Sequence, residues 1–359
     1  MLLQRSPQPR LLPALLLATL LLLLSACDGG PVESTTSTDA AATGIGPRQL
    51  GLIVNVRDPL SRRIADYYIA KRLIPAANVV SISFQPGKAV MRPEAFRALH
   101  ATVNERLPEG VQALALAWTR PYRVGCMSIT TAFAAGFDAD FCAATCTATR
   151  ANPYFESDSR RPYRDFGWRP AMLLAGTDFE SVKALIDRGV AADDSDPAGT
   201  GYLVSSTDQA RNVRARFYNG INLLQSDRFR LQLIRRNTLA YRDDVMFYFT
   251  GLKQVDGLAK NTFLPGAIAD HLTSAGGRLD SNGSQMSSLR WLEAGATGSY
   301  GAVTEPCNFT QKFPRPDIVI DRYLDGESLI EAYWKSVEWP GQGVFIGEPL
   351  ATPFTAPAM

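Results

Sequence analysis

The chain has 359 residues, with 37 Lys and Arg against 35 Asp and Glu. Two of the basic residues, Arg5 and Arg10, precede an apolar run near the N-terminus, so the rest is formally neutral. That balance provides no basic patch of the kind a nucleic-acid footprint needs, and the length suits one large α/β domain or two small ones.

The apolar run, 11–24, is shorter than the ~20 residues of a comfortable membrane span. With its basic start and the small residues Ser25 and Ala26 it predicts a signal peptide over 1–26. Leu24-Ser25-Ala26-Cys27 resembles a bacterial lipobox, which makes Cys27 the expected lipidation site and the membrane the expected partner. Residues 27–48 are rich in Gly, Ser, Thr and Ala without apolar periodicity, and read as a flexible tether. The α/β domain is expected over 49–359, on the periplasmic or cell-surface side.

Residues 50–56 (LGLIVNV) form a continuous apolar run, as a strand buried on both faces does. A helix follows over 61–73, a strand over 78–84, a helix over 93–107 and a strand over 111–118. This alternation predicts βαβ units and an open, mainly parallel sheet with helices on both faces. The turn after the first strand, Arg57-Asp58-Pro59-Leu60, has neither G-x-G-x-x-G nor a P-loop, so no nucleotide cofactor is expected.

The third strand runs into Arg120 and Arg123, two guanidinium groups suited to clamping a carboxylate or phosphate. An insertion at about 119–168 lacks periodicity and holds Cys126, Cys142 and Cys146. With Cys307 these make an even count beyond Cys27, as disulfides in an exported chain require. Cys126 is expected to pair with Cys142 or Cys146, and Cys307 can take the other; the connectivity stays open. Cys142-x3-Cys146 without a nearby His is a poor zinc site, and no metal is expected.

A second run of units begins at 169–176. Thr177-Asp178 caps a helix over 179–192, and a strand follows over 200–206. The segment 208–224 reads as an amphipathic helix with Arg211, Arg214 and Arg216 on a solvated face. A strand over 243–249 leads to Thr250. The segment 267–272 carries Asp270 and His271, and the turn Thr273-Ser274-Ala275-Gly276-Gly277 offers sharp bending through paired glycines. A short helix, a strand over 299–303, Glu305-Pro306, one or two helices between 318 and 339 and a strand over 343–346 complete the chain.

The words PGAIADHLTSAGG, WLEAGATGSYGAVTEP, GEPL (347–350), ADYYIAKRLIPAANVV, NPYF (152–155) and SVKALIDRGVAA resemble a family of exported bacterial proteins of unknown function. That resemblance covers most of the chain from about 50 onward. The C-terminal half also resembles the caspase-like domain of gingipain-type cysteine peptidases. That family places a His after one hydrophobic strand and a Cys after the next. Here those positions hold Thr250-Gly251-Leu252 and Thr273-Ser274, so both members of the dyad are missing.

Parallel strands gather their carboxyl ends on one edge, where ligands bind. Arg120, Asp178, Ser205, Thr250, Ser274 and Glu305 are expected there. Arg120, Arg123, Asp178, Thr250 and Glu305 are the ligand-binding candidates, with Glu305 expected to meet Arg120 or Arg123. The expectation is a binding module for a protein, peptide or small molecule on a peptidase-like scaffold. The alternative is a hydrolase with Ser274 as nucleophile and His271, Asp270 or Glu305 as base. His271 and Ser274, three apart on a strand, point to opposite faces unless the chain turns between them.

Overall fold

The computed structural model describes residues 44–143, 145–225, 227–280 and 283–355. The predicted signal peptide, the lipobox cysteine Cys27 and most of the tether lie outside the described residues. The elements in chain order are β1 (Leu50–Asn55), α1 (Pro59–Arg72), β2 (Val79–Ile82), β3 (Val90–Met91), α2 (Pro93–Arg106) and β4 (Ala113–Leu116). Next come β5 (Arg123–Val124), β6 (Met127–Ser128), α3 (Ile129–Ala135), α4 (Pro162–Phe166), β7 (Ala171–Leu173), α5 (Phe179–Ala192) and β8 (Thr200–Ser205). The rest are α6 (Tyr218–Gln225), β9 (Leu231–Arg235), β10 (Val245–Thr250), β11 (Phe263–His271), α7 (Leu289–Glu293), β12 (Gly298–Ala302), α8 (Pro316–Leu324), α9 (Leu329–Lys335) and β13 (Gly343–Gly347).

Ten strands form one mostly parallel mixed sheet in the order β2-β1-β4-β7-β13-β12-β11-β10-β8-β9. Its central strands are buried throughout because helices cover them, and this is why they read as unbroken apolar runs. One pairing in it is antiparallel, that of β13 with β12, from Gly298 opposite Gly347 to Ala302 opposite Gly343. Glu348, directly after β13, accepts from Arg72 at the end of α1, and Arg72 also pairs with Asp193 at the end of α5. The last strand therefore finishes at the edge where those helices end, opposite to the edge at which they start.

Three local outcomes differ from the sequence reading. The insertion is not loose: β3, β5 and β6 make a small sheet, and α3 is buried along almost its whole length. The segment 208–224 is not one amphipathic helix but a 3-10 turn, Asn212–Phe217, followed by α6. Arg214, expected in solvent, is 2 % exposed and forms an ion pair of 2.5 Å with Asp270. A buried carboxylate needs such a partner, and apolar periodicity does not reveal which arginine of a helix supplies it. The third is β9, an edge strand whose mixed burial gave no clean alternation.

Candidate functional site

Strand β4 ends in Trp118 and Thr119. The Thr119 hydroxyl donates to the Gly176 carbonyl (2.7 Å) and accepts from its N–H (3.0 Å), which ties the exits of β4 and β7 together. Further along the edge, the Ser206 hydroxyl donates to the Gly251 carbonyl, joining the exits of β8 and β10. Arg211 donates from Nε to the Thr273 hydroxyl (2.9 Å), bringing in the exit of β11. Tyr122 donates to Asp280 at 2.8 Å, so the loop after β11 reaches across to the insertion. Burial, reinforced by Asp280, pushes the Tyr122 phenol up to about 12.

The first and last of these ties border a cleft of about 420 Å³ whose polar walls are Asp58, Thr119, Arg120, Thr177, Asp280, Ser287 and Arg290. A smaller lobe of about 170 Å³ adjoins it, sharing Gly176 and Leu289 and lined also by Ala175, Ser181, Ala184, Arg188, Leu292 and Glu293. The charged walls are not equivalent. Asp58 is the N-cap of α1 and accepts the Leu60 N–H at 2.9 Å. Asp280 accepts the Tyr122 hydroxyl, and Arg290 pairs with Glu293 at 2.5 Å. Arg120 is exposed and makes no ion pair among the described residues. Among the charged walls of the cleft, Arg120 is therefore the uncommitted one.

A second hollow of about 280 Å³ contains Ser274, Glu305, Arg211 and Leu272 beside the paired Cys146 and Cys307. Glu305 does not meet Arg120 or Arg123. Its carboxylate turns back to accept the Cys307 N–H at 2.8 Å, in a bend where Cys307 adopts φ 53°. The Gln342 amide holds the Glu305 carbonyl at 2.6 Å, which fixes that bend away from Arg120. Arg123 is half-buried on β5 and its Nε has no hydrogen-bond partner.

The remaining candidates already have partners within the chain. Asp178 caps α5, accepting the Ser181 N–H at 2.8 Å while Ser181 Oγ accepts the Asp178 N–H at 3.1 Å. The Ser181 N–H holds its carboxyl below the usual range. Thr250 is fully buried, and its carbonyl accepts from Arg214 and from the Leu272 N–H. His271 is 1 % exposed. Its Nδ1 accepts the Trp291 indole N–H at 2.9 Å and its Nε2 stands 3.2 Å from the Met286 carbonyl, so the ring is neutral with its proton on Nε2. Burial lowers its pKa from 6.5 to about 3. A ring with both nitrogens spent cannot take a proton from Ser274.

The paired glycines serve close approach, not positive φ. Neither Gly276 nor Gly277 has positive φ, but a Cβ on Gly277 would lie 2.3 Å from the Gly301 carbonyl oxygen. Backbone thus packs on backbone where the turn after β11 crosses β12, with the Gly277 N–H donating to Ala302 at 2.8 Å.

The cysteines stand as Cys126 with Cys142 and Cys146 with Cys307, each pair with Cα atoms 5.6 Å apart. Sequence reasoning missed Asp58, Thr177, Asp280 and Arg290 as cleft residues. The Asp58-Pro59 pair did carry a signal, since an N-cap followed by Pro at the first helical turn fixes a helix start at a strand exit. Asp280 carried none, because only the fold brings its loop to Tyr122. Among the described residues no group of three or more His, Cys, Asp or Glu is arranged to hold a metal, and no helix is long and apolar enough to cross a membrane. Comparisons with family models, with curated proteins and with solved structures found no match to this chain.

Proposed function

We propose that the protein is an exported, lipid-anchored binding module of the cell envelope that holds a peptide or small molecule at the carboxyl edge of its sheet without cleaving it. The reading joins the lipobox at Cys27 to a scaffold that resembles the gingipain-type caspase-like domain but lacks its Cys–His dyad. It also takes up the resemblance to exported bacterial proteins of unknown function. The observation that carries it is Arg120, exposed and, among the described residues, free of ion pairs in a cleft whose other charged walls are engaged. An anionic group on the ligand suits that guanidinium.

Binding is testable with a panel of short peptides bearing free carboxylates and of small organic phosphates, read by thermal shift and then by calorimetry. A hit that loses about tenfold or more in affinity in Arg120→Gln, the scale of a lost charge-assisted contact, supports the reading. Hits that ignore this substitution overturn it.

One observation favours a second reading, a hydrolase with Ser274 as nucleophile. Ser274, Glu305 and Arg211 line one hollow. A fluorophosphonate probe that labels the protein but not Ser274→Ala would establish it in place of the binding module.

A further inference from the structure

Eight large apolar side chains stand exposed among the described residues, and five of them, Phe217, Leu223, Leu224, Leu233 and Tyr241, fall within 217–241. Leu223 and Leu224 are 78 % and 75 % exposed at the end of α6. Phe217, the last residue of the 3-10 turn that leads into α6, is 41 % exposed. Helix α6 packs beside β9, the outermost strand of the sheet, from which Leu233 projects.

The same stretch is cationic. Residues 216–236 contain five arginines and a single acid, Asp227. Two of the arginines are neutralised: Arg228 by Asp321 and Asp325 at 2.5 and 2.6 Å, and Arg230 by Asp244 at 2.6 Å. Arg216, Arg235 and Arg236 form no ion pair among the described residues. Exposed leucines and a phenylalanine beside three unpaired arginines match a surface with anionic headgroups over acyl chains.

We propose that the face formed by α6 and β9 docks on an anionic lipid bilayer. This rests on the reading of the chain as a lipid-anchored protein: the acyl chains hold it at the membrane, and this face sets its orientation there.

Gly220 is the place for a reporter, since a Cβ there meets nothing within 4 Å. The full chain carrying Gly220→Cys, processed in cells and kept oxidised, is labelled with bimane and reconstituted into vesicles of phosphatidylcholine and phosphatidylglycerol. Brominated acyl chains should reduce bimane emission about twofold in anionic vesicles and far less in phosphatidylcholine alone, with the difference removed by high salt. Adding Arg235→Gln and Arg236→Gln should remove most of the quenching. Emission that ignores bromination, or that follows protein concentration as a copy-to-copy contact would, overturns the proposal. Flotation of the chain with vesicles reports the anchor separately. Flotation without quenching leaves the anchor standing and refutes the face. Quenching that persists in an unlipidated Cys27→Ser chain with its signal removed supports the face independently of the anchor.

Discussion

Two places on the carboxyl edge hold charged groups in opposite conditions. In the interior, Asp270, Arg214 and His271 are buried and matched to protein partners: Asp270 to Arg214, and His271 to Trp291 and Met286. In the cleft, Arg120 is exposed and has no acidic partner among the described residues, although Asp58 and Asp280 line the same space. The interior groups resemble a catalytic set when read along the chain, with Asp and His adjacent near a Ser. Their partners make them part of the scaffold. A group that the fold leaves uncommitted in a concavity is the better indicator of a ligand than one with a strongly shifted pKa.

The comparison breaks most visibly at the buried pair. Asp270→Asn should cost about 3–5 kcal/mol, because it leaves Arg214 charged and unpaired inside the protein. Urea unfolding measures this, and a loss below about 1 kcal/mol would place the pair in contact with water.

His271 provides the next test, through pH. Its folded-state pKa, about 3, lies below the ordinary 6.5. The unfolded chain therefore binds the proton first as pH falls. The stability this group contributes is complete above pH 6.5 and is lost between there and about 3, by up to ~1.4 kcal/mol per pH unit. His271→Gln should flatten the stability–pH profile over that window relative to the parent chain. Superimposable slopes would mean that the imidazole is not held neutral.

The cysteine pairs should have a smaller effect. Mapping the unreduced protein should recover peptides linking Cys126 to Cys142 and Cys146 to Cys307; full alkylation of all four residues without reductant would refute both. Loss of a disulfide costs ~2–5 kcal/mol in small secreted domains, and less is expected here because a large core stands without it.

Arg120→Gln should have the smallest effect on stability, within about 0.5 kcal/mol, as for a surface side chain without partners. If unfolding shows a loss of 2 kcal/mol or more, Arg120 belongs with the interior group and the contrast collapses.

Much of the framework was legible along the chain. The runs at 50–56 and 111–118 became β1 and β4 because strands covered on both faces have only one composition open to them. Asp178 and Pro93 marked the starts of their helices for local reasons that need no tertiary contact. What was hidden depends on distant partners. Arg214 and Arg216 are two residues apart with the same chemistry, yet one is buried against Asp270 and the other faces out. The reversal of β13 and the reach of Asp280 to Tyr122 are likewise set by pairings over long sequence distances. Glu305 was placed at the right edge, but its local turn to the Cys307 N–H won over the longer reach to an arginine.

The position of β13 has a consequence for how the chain folds. Four strands, β2-β1-β4-β7, lie on one side of it and five, β12-β11-β10-β8-β9, on the other. The strand that joins them is the last one in the chain. A polypeptide made from its amino end can assemble each group early, since most of their pairings lie close in sequence, but neither group has its inner edge covered until 343–347 arrives. Until then β7 and β12 each present unpaired backbone to anything nearby, including another copy of the chain. Release of the protein before its final segment is complete should therefore yield aggregation-prone half-sheets, not a shortened version of the same fold.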